Sequence, residues 1–180
     1  PQIISTTISQ GNVTVQDVQL VPIEPFTLTV SVEDMEGNVM PNASIQLIHP
    51  LITYEGESNG IGEEVFSMYY EEIHNVIVGK WGYFTQCEDV LIDVSTGSLT
   101  VVLSPGYYDD FTFDFGWTVS GGVTSTNEGI WQRGNPEGTT NQGVNYNPDN
   151  DISSDCTEFA YVTGLSAGSQ TGEYDVDDNN

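Results

Sequence analysis

Aspartate is the residue whose placement in this chain most invites chemistry. Three clusters stand out: Asp109, Asp110 and Asp114; Asp149, Asp151 and Asp155, in the run N-P-D-N-D-I-S-S-D; and Asp175, Asp177 and Asp178. Calcium takes about six to eight hard oxygens at about 2.3–2.6 Å, and aspartates at near-alternating positions among Gly and Asn supply such donors with the help of backbone carbonyls. The D-x-[DN]-x-[DN]-G pattern with its later Glu is missing, so none of these is an EF-hand. Two readings fit: calcium ligands, or turn aspartates that hydrogen-bond their own backbone. For Asp109 and Asp110 a cap at a module junction fits as well. Calcium is the expected ion, and its candidate ligands are Asp109, Asp110, Asp149, Asp151, Asp155, Asp175, Asp177 and Asp178.

Aromatic residues in polar loops are the second candidate group. Trp131 and Tyr146, with Tyr107 and Tyr108, lie beside Asn and Asp, where rings can stack on sugars. Against this, Trp117 and Trp131 are more simply placed in the core. Arg133 is the chain's single arginine. It is expected to anchor on a carboxylate such as Glu128 or Glu137. Catalysis finds no footing. There is no G-x-S-x-G, Ser, His and Asp occur without pattern, and paired carboxylates mean little in so acidic a chain. His49, before Pro50, reads as a strand-end residue and His74 as a surface one. The segment is expected not to be an enzyme.

The charge balance narrows the partners. The 180 residues carry 27 Asp and Glu against 2 Lys and Arg, a formal charge of −25. With only Lys80 and Arg133 as cations, nucleic acid and an anionic membrane surface are excluded, because both are bound through clusters of Lys and Arg. No apolar run approaches the length that spans a bilayer. Repulsion among so many carboxylates must be met by distance, salt or bound cations. Hydrophobic residues make up 37% and aromatic residues 11%, enough to build one or two cores.

Cys87 and Cys156 show no C-x-x-C spacing, and the two histidines form no H-E-x-x-H, so zinc has no support. The pair closes an inter-module disulfide if the chain is extracellular, or remains two buried thiols.

These groups must be held by strands. Phe26, Leu28, Val30 and Val32 alternate with polar residues, as do Ala43, Ile45 and Leu47, then Val76 and Val78, then Leu99, Val101 and Leu103. Asp34 to Asn38 (D-M-E-G-N) is a turn with Gly37 at positive φ. Between Glu63 and Asn75 both a helical stripe and a strand face can be drawn, and the context favours strands. Phe111, Phe113, Phe115, Trp117 and Val119 fall on one face of an expected strand. Pro105 and Gly106 mark a boundary. Ile8 to Val15 aligns with Val94 to Val101, each followed by a strand end and a proline, so the chain is expected to be a segment of a longer multidomain protein in which residues 1–22 close a preceding repeat.

The set Val30, Val32, Asp34, Gly37, Asn38, Pro41, Ala43, Ile45 and Leu47, then Val76 to Tyr83 (V-I-V-G-K-W-G-Y), then Gly97, Thr100, Val101 and Leu103, resembles the carboxypeptidase regulatory-like domain over residues 23–105. That family implies a small prealbumin-like β-sandwich without catalytic residues, a spacer in secreted and surface proteins. Residues 106–180, with Gly116 to Gly121 and Trp131-Gln132-Arg133-Gly134, are similar to a jelly-roll module found beside it in large secreted bacterial proteins, metallopeptidases included, although Gln132 stands where that family often has Glu. The fold expected is therefore all-β: tandem β-sandwiches, a prealbumin- or Ig-like module followed by an incomplete jelly-roll module. The expected role is that of non-catalytic, calcium-binding accessory modules at the cell surface, partnered by other modules of the same chain. The alternatives are a filament or adhesin subunit joined to neighbouring copies by strand pairing, and a module that binds extracellular glycans through Trp131 and Tyr146.

Overall fold

The computed structural model describes residues 11, 22–119, 131–146, 148–151, 155–163 and 165. The fold is all-β, with no helix among the described residues. The expected repeat strand over Ile8 to Val15 lies outside the described residues, apart from Gly11.

Seven strands form two facing sheets. β1 (Phe26–Asp34) is the centre of a three-stranded sheet, antiparallel to β4 (Glu63–Met68) and parallel to β7 (Ser98–Leu103). The second sheet runs β3 (Ile52–Glu57), β2 (Ser44–His49), β5 (Glu72–Gly79), β6 (Gln86–Ile92), all antiparallel. The two-residue period decides which side chains face inward. Leu28, Val30 and Val32 of β1 and Phe66 and Met68 of β4 are buried, and they meet Ile45, Leu47, Val76, Val78 and Ile92 from the other sheet. Register ties these layers together, with Leu28 opposite Phe66 and Ile45 opposite Val78. Each fully buried aliphatic chain contributes about 1.5–3 kcal/mol, so a slip of one residue anywhere would lose the set.

The ambiguous stretch from Glu63 to Asn75 forms two strands. Phe66 and Met68, two apart, enter the core while Val65 and Ser67 on either side of Phe66 stay exposed, the alternation of a strand and not of a helix. The turn after β1 follows its sequence closely. Gly37 has φ 80°, the Oδ1 of Asp34 accepts the N–H groups of Glu36 and Asn38, and Oδ2 accepts from the Asn38 side chain. These bonds hold the Asp34 carboxyl below its usual range. The two halves of the sequence motif also meet in space, since the Lys80 ammonium donates to the Pro41 carbonyl.

Three buried polar side chains, Ser58, His74 and His49, complete this core. The Ser58 hydroxyl accepts the N–H of Ala43 (2.8 Å) and donates to the Met40 carbonyl (2.6 Å), closing the chain across the sandwich end. His74, expected at the surface, is instead fully buried. The alternation of β5 explains this, because it puts His74 on the same face as Val76 and Val78. Its Nδ1 donates to the Glu72 carbonyl (2.9 Å), leaving Nε2 as a bare acceptor that has no hydrogen-bond partner among the described residues. His49 stacks on Tyr70 at 4.7 Å, sits 5.1 Å from His74, accepts the Leu51 N–H at Nδ1 and donates from Nε2 to Glu72 (3.3 Å).

The remaining strands are short. β8 (Gln132–Gly134) pairs with β11 (Ala160–Val162), and β9 (Thr140–Asn141) with β10 (Val144–Asn145), both antiparallel. These two ladders are all the sheet in the described part of residues 106–180. The strand expected from Phe111 to Val119 is absent. Residues 111–119 are irregular, with Phe111 at φ 55° and Gly116 at φ 83°. Asp109 and Asp114 cause the departure, because their Oδ1 atoms take the N–H groups of Phe111 (2.8 Å) and Gly116 (2.9 Å) and fold the chain into successive Asx turns.

Ser58→Ala should destabilise the protein by about 2 kcal/mol in denaturant titration, since it strands a buried N–H and a buried carbonyl together. Burial holds the His74 pKa below its ordinary 6.5, as does nearby His49, against the opposing pull of the Glu72 carbonyl and carboxylate. A neutral His74 therefore stabilises the fold fully above the unfolded value, and that contribution is lost as pH falls below it. The melting temperature should drop between about pH 7 and pH 5, and His74→Phe should flatten that slope.

Candidate functional site

The chemistry-bearing residues gather where the second block meets the second sheet. β5 turns Ile73, Asn75, Ile77 and Gly79 away from the core, and Ile77 is nonetheless fully buried. What covers this end of the face is the chain after Gly106. A Cβ on Gly79 would lie 2.7 Å from the Phe113 ring, so the bare backbone is a seat for that ring, which is itself buried. Cys87, opposite Ile77 in the β5–β6 register, is joined to Cys156, 69 positions further along the chain, with Cα atoms 5.7 Å apart. Thr85 donates to Oδ1 of the buried Asp110 (3.1 Å). The connection itself is pinned, for Phe84 N–H donates to Ser104, Gly106 N–H to Gly82, and the Phe84 ring lies against Gly106.

Arg133 organises the second block from within. Its Nε donates to the Phe111 carbonyl (2.7 Å), its Nη2 to the Thr112 carbonyl (2.5 Å), and its guanidinium lies 4.4 Å over the Phe159 ring. The β8–β11 register sets Arg133 opposite Tyr161, whose ring meets Phe111 edge-on at 5.1 Å. Glu128, one of its expected carboxylate partners, lies outside the described residues.

Asp109, Asp110, Asp149 and Asp155, among the expected calcium ligands, take part in hydrogen bonds within the chain. Asp109 spends Oδ1 on Phe111 and Oδ2 on the Trp117 indole (2.6 Å), and Asp110 accepts from both Thr85 and Thr112. Asp149 accepts from the Asn150 side chain (3.0 Å). Asp155 accepts the Tyr108 hydroxyl (2.8 Å), and that bond, with partial burial and the charges of Asp155, Asp110 and Asp151, pushes the Tyr108 pKa up to about 12. The first two clusters thus share a neighbourhood around Tyr108. Among the described residues, no three His, Cys, Asp or Glu converge as a metal site. Asp175, Asp177 and Asp178 lie outside the described residues.

Beside the joint opens a cleft of about 460 Å³, lined by Phe111, Trp117, Thr118, Val119, Trp131 and Tyr161. Trp117 and Trp131, expected in the core, are 52% and 48% exposed. Trp117 is held at three points: by Asp109 at its indole N–H, by Tyr161, whose hydroxyl donates to its carbonyl (3.2 Å), and by Trp81, which meets it edge-on at 5.5 Å. Tyr146 is exposed and does not line this cleft, so the two residues expected to share a glycan site are not brought together there. Sequence reasoning missed Phe111, Trp117 and Tyr161 as site residues. The available signal was Asp109 eight residues before a tryptophan, within reach of an indole N–H.

No family model and no curated protein sequence matches this chain. Among solved structures it is similar to the Bacillus anthracis TIE protein, at TM-score 0.36 and 13% identity over 46% of this chain and 17% of that one. It is similar also to 3-chlorocatechol 1,2-dioxygenase from Rhodococcus opacus 1CP, at TM-score 0.38 and 11% identity over 46% of this chain and 61% of that one. Both likenesses are too slight to carry an argument.

Gly79→Val should push the Phe113 ring from its seat at a cost of about 1–3 kcal/mol. Limited proteolysis should then cut within residues 107–119 while the seven-stranded sandwich stays protected.

Proposed function

We propose that this chain is a non-catalytic pair of β modules from a secreted or cell-surface protein, and that its work is to hold two bodies in fixed relation. The Cys87–Cys156 bond carries this reading. Disulfides between modules form and persist in oxidising compartments and are rare where thiols are kept reduced. This one fastens an otherwise open edge strand, β6, to the second block. Further support comes from the seat of Phe113 on Gly79 and the pinned connection at Gly106, which suit a stiff joint better than a hinge. The likeness of residues 23–105 to the carboxypeptidase regulatory-like domain points the same way, toward an accessory region of a larger secreted protein such as a hydrolase. Calcium and other cations enter as counter-charge for 27 carboxylates, a screening role that needs no convergent ligand set.

A surface-exposed product with both thiols blocked to alkylation before reduction is the expected result when the native protein is taken from its own cells. A cytosolic product with free thiols would overturn the reading. In the isolated chain, replacing both cysteines with serine should cost about 4 kcal/mol on the chain-entropy account of a loop this long. Titration with sodium, magnesium and calcium chloride at matched ionic strength should raise the melting temperature alike, whereas a rise specific to calcium would require a dedicated site.

A further inference from the structure

We propose that the aromatic cleft beside the joint binds an alkylated ammonium cation, of the kind carried by choline and its relatives. This goes beyond the structural role above and does not depend on it. Among the described residues the walls are four rings, Phe111, Trp117, Trp131 and Tyr161, with Thr118 and Val119 beside them. Phe111 and Tyr161 meet at 74°, so their faces form a corner and not a flat platform. A corner of ring faces surrounds a compact, roughly spherical group, and it is the arrangement by which aromatic side chains hold quaternary ammonium ions. A pyranose would ask for donors and acceptors along its edge. Here two of the polar groups beside the rings are engaged within the protein, the Tyr161 hydroxyl donating to the Trp117 carbonyl and the Trp117 indole N–H to Asp109, and no charged side chain is among the described lining residues.

Charge selects the sign of the ligand. The indole N–H of Trp117 donates to a carboxylate at 2.6 Å, which adds negative potential to the ring that faces the cleft. The formal charge of −25 sets the same preference over the whole surface and excludes anions. The cations of this chain offer no internal substitute, since Arg133 is bonded to the Phe111 and Thr112 carbonyls and lies on Phe159, and Lys80 donates to Pro41. The volume, about 460 Å³, falls within the range of small-molecule sites and leaves room for a tail beyond the head group. A neutral apolar ligand would fill the same rings equally well without using the field, and that difference makes the proposal testable.

The test is isothermal titration and tryptophan fluorescence of the intact, oxidised chain with tetramethylammonium and choline. Set beside them are the uncharged carbon isostere of choline, in which a tert-butyl group replaces the trimethylammonium, and methyl glucoside. Saturable choline binding with a Kd in the millimolar range is expected, the isostere about tenfold weaker, and the sugar without effect. Trp131→Ala should weaken choline binding about tenfold or more with the Cys87–Cys156 bond and the melting temperature kept, and Trp131→Phe should restore part of it. Should Trp131→Ala fail to fold, Asp109→Asn serves in its place, and it should weaken choline more than it weakens the isostere. Equal binding of choline and its isostere would overturn the assignment. So would binding of the sugar in their stead, or no saturable binding of any cation.

Discussion

The second block rests on the first. Between Tyr107 and Thr163 the described sheet amounts to ladders of two and three residues, too little to bury a core, since hairpins this short are marginal alone in water. What orders this part of the chain is the face it leans on. Gly79 has no side chain to keep Phe113 away, Ile77 offers an apolar floor, and Cys87 stands opposite Ile77 to bind Cys156. Once Phe113 is seated, the irregular chain on either side can be tied down by single groups. Asp109, Asp110 and Asp114 hold its turns, and Arg133 takes the Phe111 and Thr112 carbonyls.

The unbalanced charge is distributed by the same logic. With so few cations, several carboxylates near the joint are satisfied by hydrogen bonds. Asp110 is buried yet accepts from Thr85 and Thr112, and Asp155 takes the hydroxyl of Tyr108. A carboxylate supplied with donors costs far less to hold at an interface than one left bare. The core sandwich avoids the difficulty altogether. Its inner faces are apolar except for Ser58 and the two histidines, and both histidines sit at one end beside Glu72 and Tyr70.

The sandwich was legible in the sequence because period-two alternation is a direct consequence of strand geometry. It placed Leu28, Val30, Val32, Ile45, Leu47, Val76 and Val78 inward, and it would have placed His74 with them had the strand face been followed through a polar residue. The second block was not legible for an equally physical reason. Phe111, Phe113 and Phe115 keep the spacing of a strand, but the aspartates between and before them offer their own backbone a closer partner than any neighbouring strand. Only Phe113 of the three is buried, and it is buried against Gly79 of β5, far away in sequence, which no local pattern can announce. The exposed tryptophans were misplaced because bulk argues for burial, while Trp117 is held half-exposed by the bond from its indole N–H to Asp109 and by the edge of Trp81.

Hydrogen exchange across the chain, oxidised and then with both cysteines replaced, probes most directly whether the second block owes its order to the first. Loss of protection in β8, β11 and residues 107–119, with β1, β2 and β5 unchanged, is the predicted result. Protection in the second block that survives removal of the bond, together with Gly79→Val, would mean that it folds on a core of its own and would contradict the account.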